Sequence, residues 1–462
     1  MSHRTSNLKL AGWGNLNPTD NRVYRPERTA DVRAVVRHAA TADPAGPGDL
    51  IARGLGRSYG DCAVNGQGGR VALMTRMDRL VAFDPDAGVV EAEAGVAIAD
   101  LLDLFLPRGF FPPITPGTTF VTLGGAVAAD VHGKNHHADG TISNFVERLD
   151  LLTADGTVVP CSPSENAELF WATVGGMGLT GIILTVRLRM LRVPSAYLRV
   201  RYRRAANLDA AMEMFDAESP AGRRYSVAWV DGLATGPALG RSVLMEGDHL
   251  PAADLPPKLR AEPLARPRRR VRSVPFNLPR FALPPLAVRL FNAAYYRRHG
   301  DAERTVPVDP FFYPLDAVHH WNRIYGRRGF VQYQALFPPG SARRGLVELL
   351  EQISGAGAAS FLAVLKRTGP AGKGMLSFPF PGYTLALDLP NKGGATAELT
   401  AALDAVLLKH GGRLYLAKDA TTTPEAFARM YPRLDEFRAV KARVDPHNRF
   451  SSTQARRLKI VG

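Results

Sequence analysis

Two glycine-rich segments constrain this chain more than any other feature. The first reads Ala52, Arg53, Gly54, Leu55, Gly56, Arg57, Ser58, Tyr59, Gly60, Asp61, Cys62, and the second spans residues 116–137, PGTTFVTLGGAVAADVHGKNHH. Glycine lets backbone approach a bulky ligand closely, and successive bare N–H groups in such turns form anion-binding concavities. Two such turns in one unit suit a long ligand with a pyrophosphate at its middle. That combination points to a flavin dinucleotide.

A chain of 462 residues exceeds one ordinary core and calls for two domains. Its 45% hydrophobic and 22% charged residues are the balance of a soluble globular protein. No apolar run reaches membrane-spanning length, and the stretch Met1–Leu10 lacks the apolar core of a secretory signal. The expected location is cytoplasmic or peripheral at the inner membrane, with the periplasmic side left open. Two cysteines, Cys62 and Cys161, cannot build a disulfide framework and fit a reducing compartment.

The net charge of +15 favours anionic partners. Between Lys258 and Arg272 stand Lys258, Arg260, Arg266, Arg268, Arg269, Arg270 and Arg272 against a single acid, Glu262. Arginines then interleave with Phe276, Leu278, Phe281, Leu283, Leu286, Leu290 and Phe291. Such a segment suits an anionic membrane surface, where each basic residue contributes about 1 kcal/mol. A solvated loop has the same composition. No recognised nucleic-acid motif accompanies the charge, so nucleic acid is not an expected partner.

Residues 17–190 alternate strands and helices. Ile98, Leu101, Leu102 and Phe105 form one face of a helix, Leu149–Val159 holds two strands around Asp155-Gly156, and Ile182–Met190 alternates as a half-buried strand. Beyond residue 195 the texture changes. Tyr225–Val230 and Phe330–Phe337 predict an antiparallel sheet, with helices over Ser341–Ser354 and Thr396–Lys409 on one face. The segment after Arg413 reads as a return to the first unit. Gly176–Gly181 satisfies G-x-G-x-x-G, but a helix precedes it and a strand follows, the reverse of a Rossmann site. His132, His136 and His137 are poor metal ligands, because Gly133 breaks any helix that would align them. No nucleophile elbow or Walker loop is present. Taken singly, Lys418 reads as a surface lysine and Trp229, Tyr333 and Tyr383 as core.

The glycine segments, together with WATVGG at 171–176, WNRIYG at 321–326, QYQ at 332–334, LSFP at 376–379, GGRLY at 411–415 and VDP at 444–446, resemble FAD-dependent oxidoreductases of the vanillyl-alcohol oxidase type. The likeness is strongest to that family's polyprenylphosphoryl-ribose oxidases. It covers nearly the whole chain and is loosest over 195–310. It implies an α+β fold with a two-part PCMH-type FAD-binding domain (1–194). A substrate domain follows (195–412), with an antiparallel sheet flanked by helices and a basic insertion near 251–290. The C-terminal segment (413–462) returns to the FAD domain. It also implies that residues 52–62, Gly117, Thr122, Leu123, Gly124, Gly125, Ala129, Asp130, Val131, His132, Ile183 and Tyr415 hold FAD.

The chemistry implied is hydride transfer from ribose C2 to the flavin. The resulting 2-keto sugar passes to an NAD(P)H-dependent short-chain reductase partner, which yields an arabinose donor for cell-wall glycans. Lys418, His132 and Tyr59 correspond to catalytic positions, and Lys134, Gln334, Lys366, Trp229 and Ala386 to the polyprenyl-phosphate pentose pocket. An alcohol loses hydride more readily as its hydroxyl loses a proton, and a fixed cation stabilises the charge that reduced flavin gathers. The chain departs from the family at Tyr383–Asp388. Ala386 replaces a cysteine that nitroaromatic inhibitors attack, and Thr384 replaces an asparagine, so no nucleophile is available there. A soluble sugar-alcohol or aldonolactone oxidase and a non-catalytic flavin-binding subunit stand as alternatives. Many relatives tether the flavin through a histidine; Arg57 occupies that place and cannot form the bond, so FAD is expected to be non-covalent. Trichloroacetic acid precipitation should leave all flavin in the supernatant, and a yellow pellet would overturn this.

Overall fold

The computed structural model describes residues 5–42, 49–217, 223–267, 269–279, 284–358 and 361–461. Arg268, Phe281 and Leu283 of the basic segment lie outside the described residues, as do the first four residues of the N-terminal stretch. The architecture is α+β.

The N-terminal part holds two larger sheets, besides the short pair Phe110–Phe111 with Leu191–Arg192. A four-stranded one runs Thr5–Leu10, Thr19–Tyr24, Arg70–Leu73, Leu50–Arg53 in space, antiparallel in its first pair and parallel beyond it. The other is a five-stranded antiparallel sheet in the order Leu80–Asp84, Val89–Glu93, Ile182–Arg189, Val146–Leu152, Val158–Cys161. The first glycine segment leaves the end of the Leu50–Arg53 strand. The second feeds the short helix Leu123–Ala128, whose N-cap Thr122 accepts a hydrogen bond from the Gly125 amide. Gly176–Gly181 follows the helix Ala167–Thr173 and leads into Ile182–Arg189, the reverse of a Rossmann turn.

The second part is an eight-stranded antiparallel sheet. Its strands are β1 (Tyr197–Ala205), β2 (Tyr225–Val230), β3 (Ser242–His249), β4 (Ala302–Pro307), β5 (Phe330–Phe337), β6 (Ala363–Thr368), β7 (Gly382–Pro390) and β8 (Arg413–Leu414). In space they run β4-β1-β3-β2-β6-β7-β5-β8. Every residue of β5 is buried, because helices Pro339–Gly355 and Gly394–Lys409 cover one face and the functional cavity occupies the other. Alternation then sorts the side chains. Tyr333 points to the helices, where its hydroxyl donates to Asp404 at 2.7 Å, while Gln332 and Gln334 face the cavity. Helix α1 (Pro285–Arg298) comes from the basic segment, and Val288 and Asn292 are its buried residues. Strand β8 belongs to this sheet although the sequence assigns Arg413–Leu414 to the returning tail. Among the described residues, no helix is long and apolar enough to cross a membrane.

The tail does reach the first part. Leu50 bridges Phe450, and Asn65 Nδ2 donates to the Ser451 carbonyl at 2.9 Å. Arg457 donates to Asp61 at 2.8 Å and to Asp419 at 2.7 Å, tying the first glycine segment to the stretch that carries Lys418. Asp419 is fully buried in that arrangement. Replacing Arg457 with alanine strands its carboxylate and should cost about 3 kcal/mol. Urea unfolding of the FAD-loaded protein reads this as a lower midpoint; an unchanged midpoint would show that the clamp carries no load.

Candidate active site

Between the N-terminal sheets and the inner face of the large sheet lies one cavity of about 530 Å³, within the range of small-molecule sites. Its N-terminal wall contains Ala52, Arg53, Gly54, Leu55, Gly56, Arg57, Ser58, Tyr59, Gly60, Cys62, Gly117, Thr122, Gly124, Gly125, Ala129, Val131, His132, Ile183 and Tyr415. Three residues expected in this wall do not line it. Asp61 turns to Arg457, Leu123 is fully buried in the core, and buried Asp130 accepts a hydrogen bond from Ser377 Oγ at 2.5 Å. Each braces the wall from behind.

The glycines also do less for a ligand than the sequence suggests. A Cβ on Gly60 would run into the Asp419 carbonyl and one on Gly54 into the Thr122 hydroxyl, while one on Gly124 would sit 2.8 Å from the Ala94 Cβ. These positions let protein segments approach one another. Gly117 is the open position, where a Cβ would meet nothing within 4 Å. Arg57 lies 4.0 Å over the Trp13 ring and 4.9 Å from that of Phe120, and its buried Nε has no partner among the described residues. Bare backbone, small side chains and a stacked guanidinium with an unspent donor fit an elongated anionic dinucleotide. FAD fits these residues.

The opposite wall of the cavity is built on the large sheet, the Lys418 turn and the segment around Lys134. Lys134, Lys366 and Lys418 all line the cavity, and none is ion-paired among the described residues. Lys418 Nζ sits 3.7 Å over the Tyr59 ring, and Lys134 Nζ donates to the Phe312 carbonyl at 3.2 Å. Desolvation lowers Lys418 to about 7, with Asp388 opposing the fall; it lowers Lys134 to about 7 and Lys366 to about 8. Lys366 is the shared neighbour, since its charge also acts on Lys134, Lys418 and His132. Burial holds His132 well below the ordinary imidazole range. Its Nε2 lies 3.0 Å from Gln334 Nε2; with the Gln334 amide donating, that ring nitrogen accepts and the proton sits on Nδ1, which is buried without a partner among the described residues. Gln334 Nε2 also donates to Thr384 at 3.2 Å. Ala386 and Trp229 line the same cavity.

Among the described residues no group of three His, Cys, Asp or Glu is placed to hold a metal. His136 Nδ1 accepts from the Gly369 amide at 2.9 Å and His137 lies beside Ser226, so the three histidines serve separate partners. The sequence reading missed Asp388, which accepts from Gln332 at 2.7 Å and from the Tyr325 hydroxyl at 3.0 Å. Burial raises its carboxyl to about 7. The signal for this group is the period-two polar pair Gln332 and Gln334 inside an otherwise apolar strand.

A family model described as FAD binding domain matches residues 21–162, and one described as D-arabinono-1,4-lactone oxidase matches residues 391–458. With the cavity above, they define an FAD-dependent oxidoreductase. The chain is 39% identical over 459 residues to the decaprenylphosphoryl-beta-D-ribose oxidase of Mycolicibacterium smegmatis, spanning 99% of this chain and 98% of that protein, and it belongs to that family. It is also 37% identical over 382 residues to an uncharacterized protein in the mprA 5' region of Streptomyces coelicolor, covering 79% of this chain and all of the other. To the L-gulonolactone oxidase of Bos taurus it is 31% identical over 202 residues, 43% of each chain.

Three lysines that lose their protons near neutrality give the site a pH signature. They are charged below about pH 7 and neutral well above it, so anion affinity falls as pH rises. Calorimetric titration of the FAD-loaded protein with ribose 5-phosphate should show binding weakened about tenfold between about pH 6 and about pH 9. A flat profile would show that these amines do not hold the anion.

Proposed function

We propose that this chain oxidises the 2-hydroxyl of a polyprenylphosphoryl-β-D-ribose to the 2-keto sugar. A nicotinamide-dependent short-chain reductase then completes the epimerisation to the arabinose donor. The observation that carries this reading is full-length similarity to an oxidase named for that substrate. The cavity supports it, because its lining combines three lysines, none ion-paired among the described residues, with apolar and aromatic side chains such as Ala386, Val364 and Trp229.

FAD bound in the cradle supplies the hydride acceptor. The side chains do the rest. Lys134 and Lys366 bind the phosphodiester. Lys418, at about 7, is balanced to take the sugar hydroxyl proton and, once charged, to hold negative charge beside Tyr59. Gln334 fixes the His132 ring, and Asp388 steadies Gln332 while keeping Lys418 from losing its proton too early.

In this reading the basic segment lies against an anionic membrane surface. Phe276, Leu286 and Leu290 are each more than 60% exposed, and Arg289, Arg297 and Arg298 stand exposed beside them. The match of residues 391–458 to a lactone oxidase favours a second reading, oxidation of a water-soluble polyol or aldonolactone.

Anaerobic addition of decaprenylphosphoryl ribose should bleach the flavin's visible absorbance. Bleaching by L-gulonolactone or xylitol alone would favour the second reading. Lys418→Ala should stay yellow yet lose about a hundredfold or more in turnover, and a wild-type rate would remove the lysine from the mechanism.

A further inference from the structure

We propose that the apolar arm of the cavity, from Ala386 to helix α1, binds the first isoprene units of the substrate's prenyl chain; this rests on the reading above. Strand register lays the arm out. Gln334 pairs with Ala386, Ala386 with Val364, and Val364 with Trp229. All four line the cavity, so they form one row across β5, β7, β6 and β2. At about 4.8 Å per strand the row is about 14 Å long. Along it an amide gives way to a methyl, a branched aliphatic side chain and an indole. Trp229 spends its one polar atom on the Phe361 carbonyl at 3.0 Å, so only its ring is left for a ligand.

The row ends beneath α1. Asn292 anchors that helix by donating to Asp231 at 2.7 Å. Tyr295 sets its ring 4.5 Å from that of Trp229, and the Phe291 ring lies 6.1 Å further out. Trp229 is 6% exposed and Phe291 48%. An aromatic run therefore leads from Trp229, at the far end of the row from Gln334, to the outer face of α1, which also carries exposed Leu286 and Leu290. A long prenyl chain has its headgroup at one end of this route and the bilayer at the other. A free polyol has no group to place in it.

Burial of successive methylenes adds affinity until the arm is full. The test measures anaerobic flavin reduction by ribosyl phosphodiesters of geranyl, farnesyl, geranylgeranyl and decaprenyl chains in one detergent. The apparent dissociation constant should fall about tenfold across the short members and then level off. Trp229→Ser should shrink that difference to about twofold. Should the variant lose its flavin, the wild-type series alone still decides. Equal affinity for all lengths in the wild type, or an unchanged slope in a flavin-loaded Trp229→Ser protein, overturns the arm and leaves the proposed reaction standing. Reduction by none of them overturns the reaction and the arm together.

Discussion

The active-site geometry depends on the contact between two backbone segments from opposite ends of the chain. The Tyr59 amide donates to the Ala417 carbonyl at 2.9 Å, and Gly60 lies so close to Asp419 that no side chain fits between them. Arg457 locks the pair by bridging Asp61 and Asp419. This contact sets Lys418 over the Tyr59 ring. It also links the cofactor wall to the large sheet, because the Tyr415 amide donates to the Gln334 carbonyl and the Tyr415 hydroxyl to that of Ala129.

A second constraint is electrostatic. Burial pushes three cavity lysines toward neutrality, Lys366 adds to the fall at Lys134 and Lys418, and Asp388 opposes it at Lys418. Asp388, whose carboxyl burial raises to about 7, accepts from Gln332 and from the Tyr325 hydroxyl, and when ionised it opposes the fall at Lys418. Such a site stores unfavourable charge in its empty form and releases it on binding. That arrangement trades stability for affinity toward an anion.

Much of this fold was legible where the signal is local. Runs rich in β-branched and aromatic residues located Tyr225–Val230 and Phe330–Phe337, and both glycine segments line the cavity. Motifs carried by the family resemblance singled out Lys418. The composition of its own neighbourhood did not, since a lysine's role depends on which distant walls enclose it. Asp61, Leu123 and Asp130 lay inside the right segments but point out of the cavity, a distinction made by side-chain direction within a turn. A short strand before Ala417 was legible, but the sheet it joins and the clamp made by Arg457 were not, because their partners lie far away in sequence. The apolar row from Ala386 to Trp229 depends on the pairing register of four strands, which no single strand encodes.

The N-terminal segment around Trp13 has a role its position does not advertise. Its backbone is threaded between the glycine turn and the large sheet: the Trp13 amide donates to Ser58, Gly14 to Tyr59, and Phe330 back to Gly14. With Arg57 stacked on Trp13, the cavity draws at once on Gly12 and Trp13, on both glycine segments, and on Tyr415, Ala417 and Lys418. Such a cradle cannot be assembled by a nascent chain that has emerged only part-way. The cavity is therefore walled only when segments from both ends of the chain are in place.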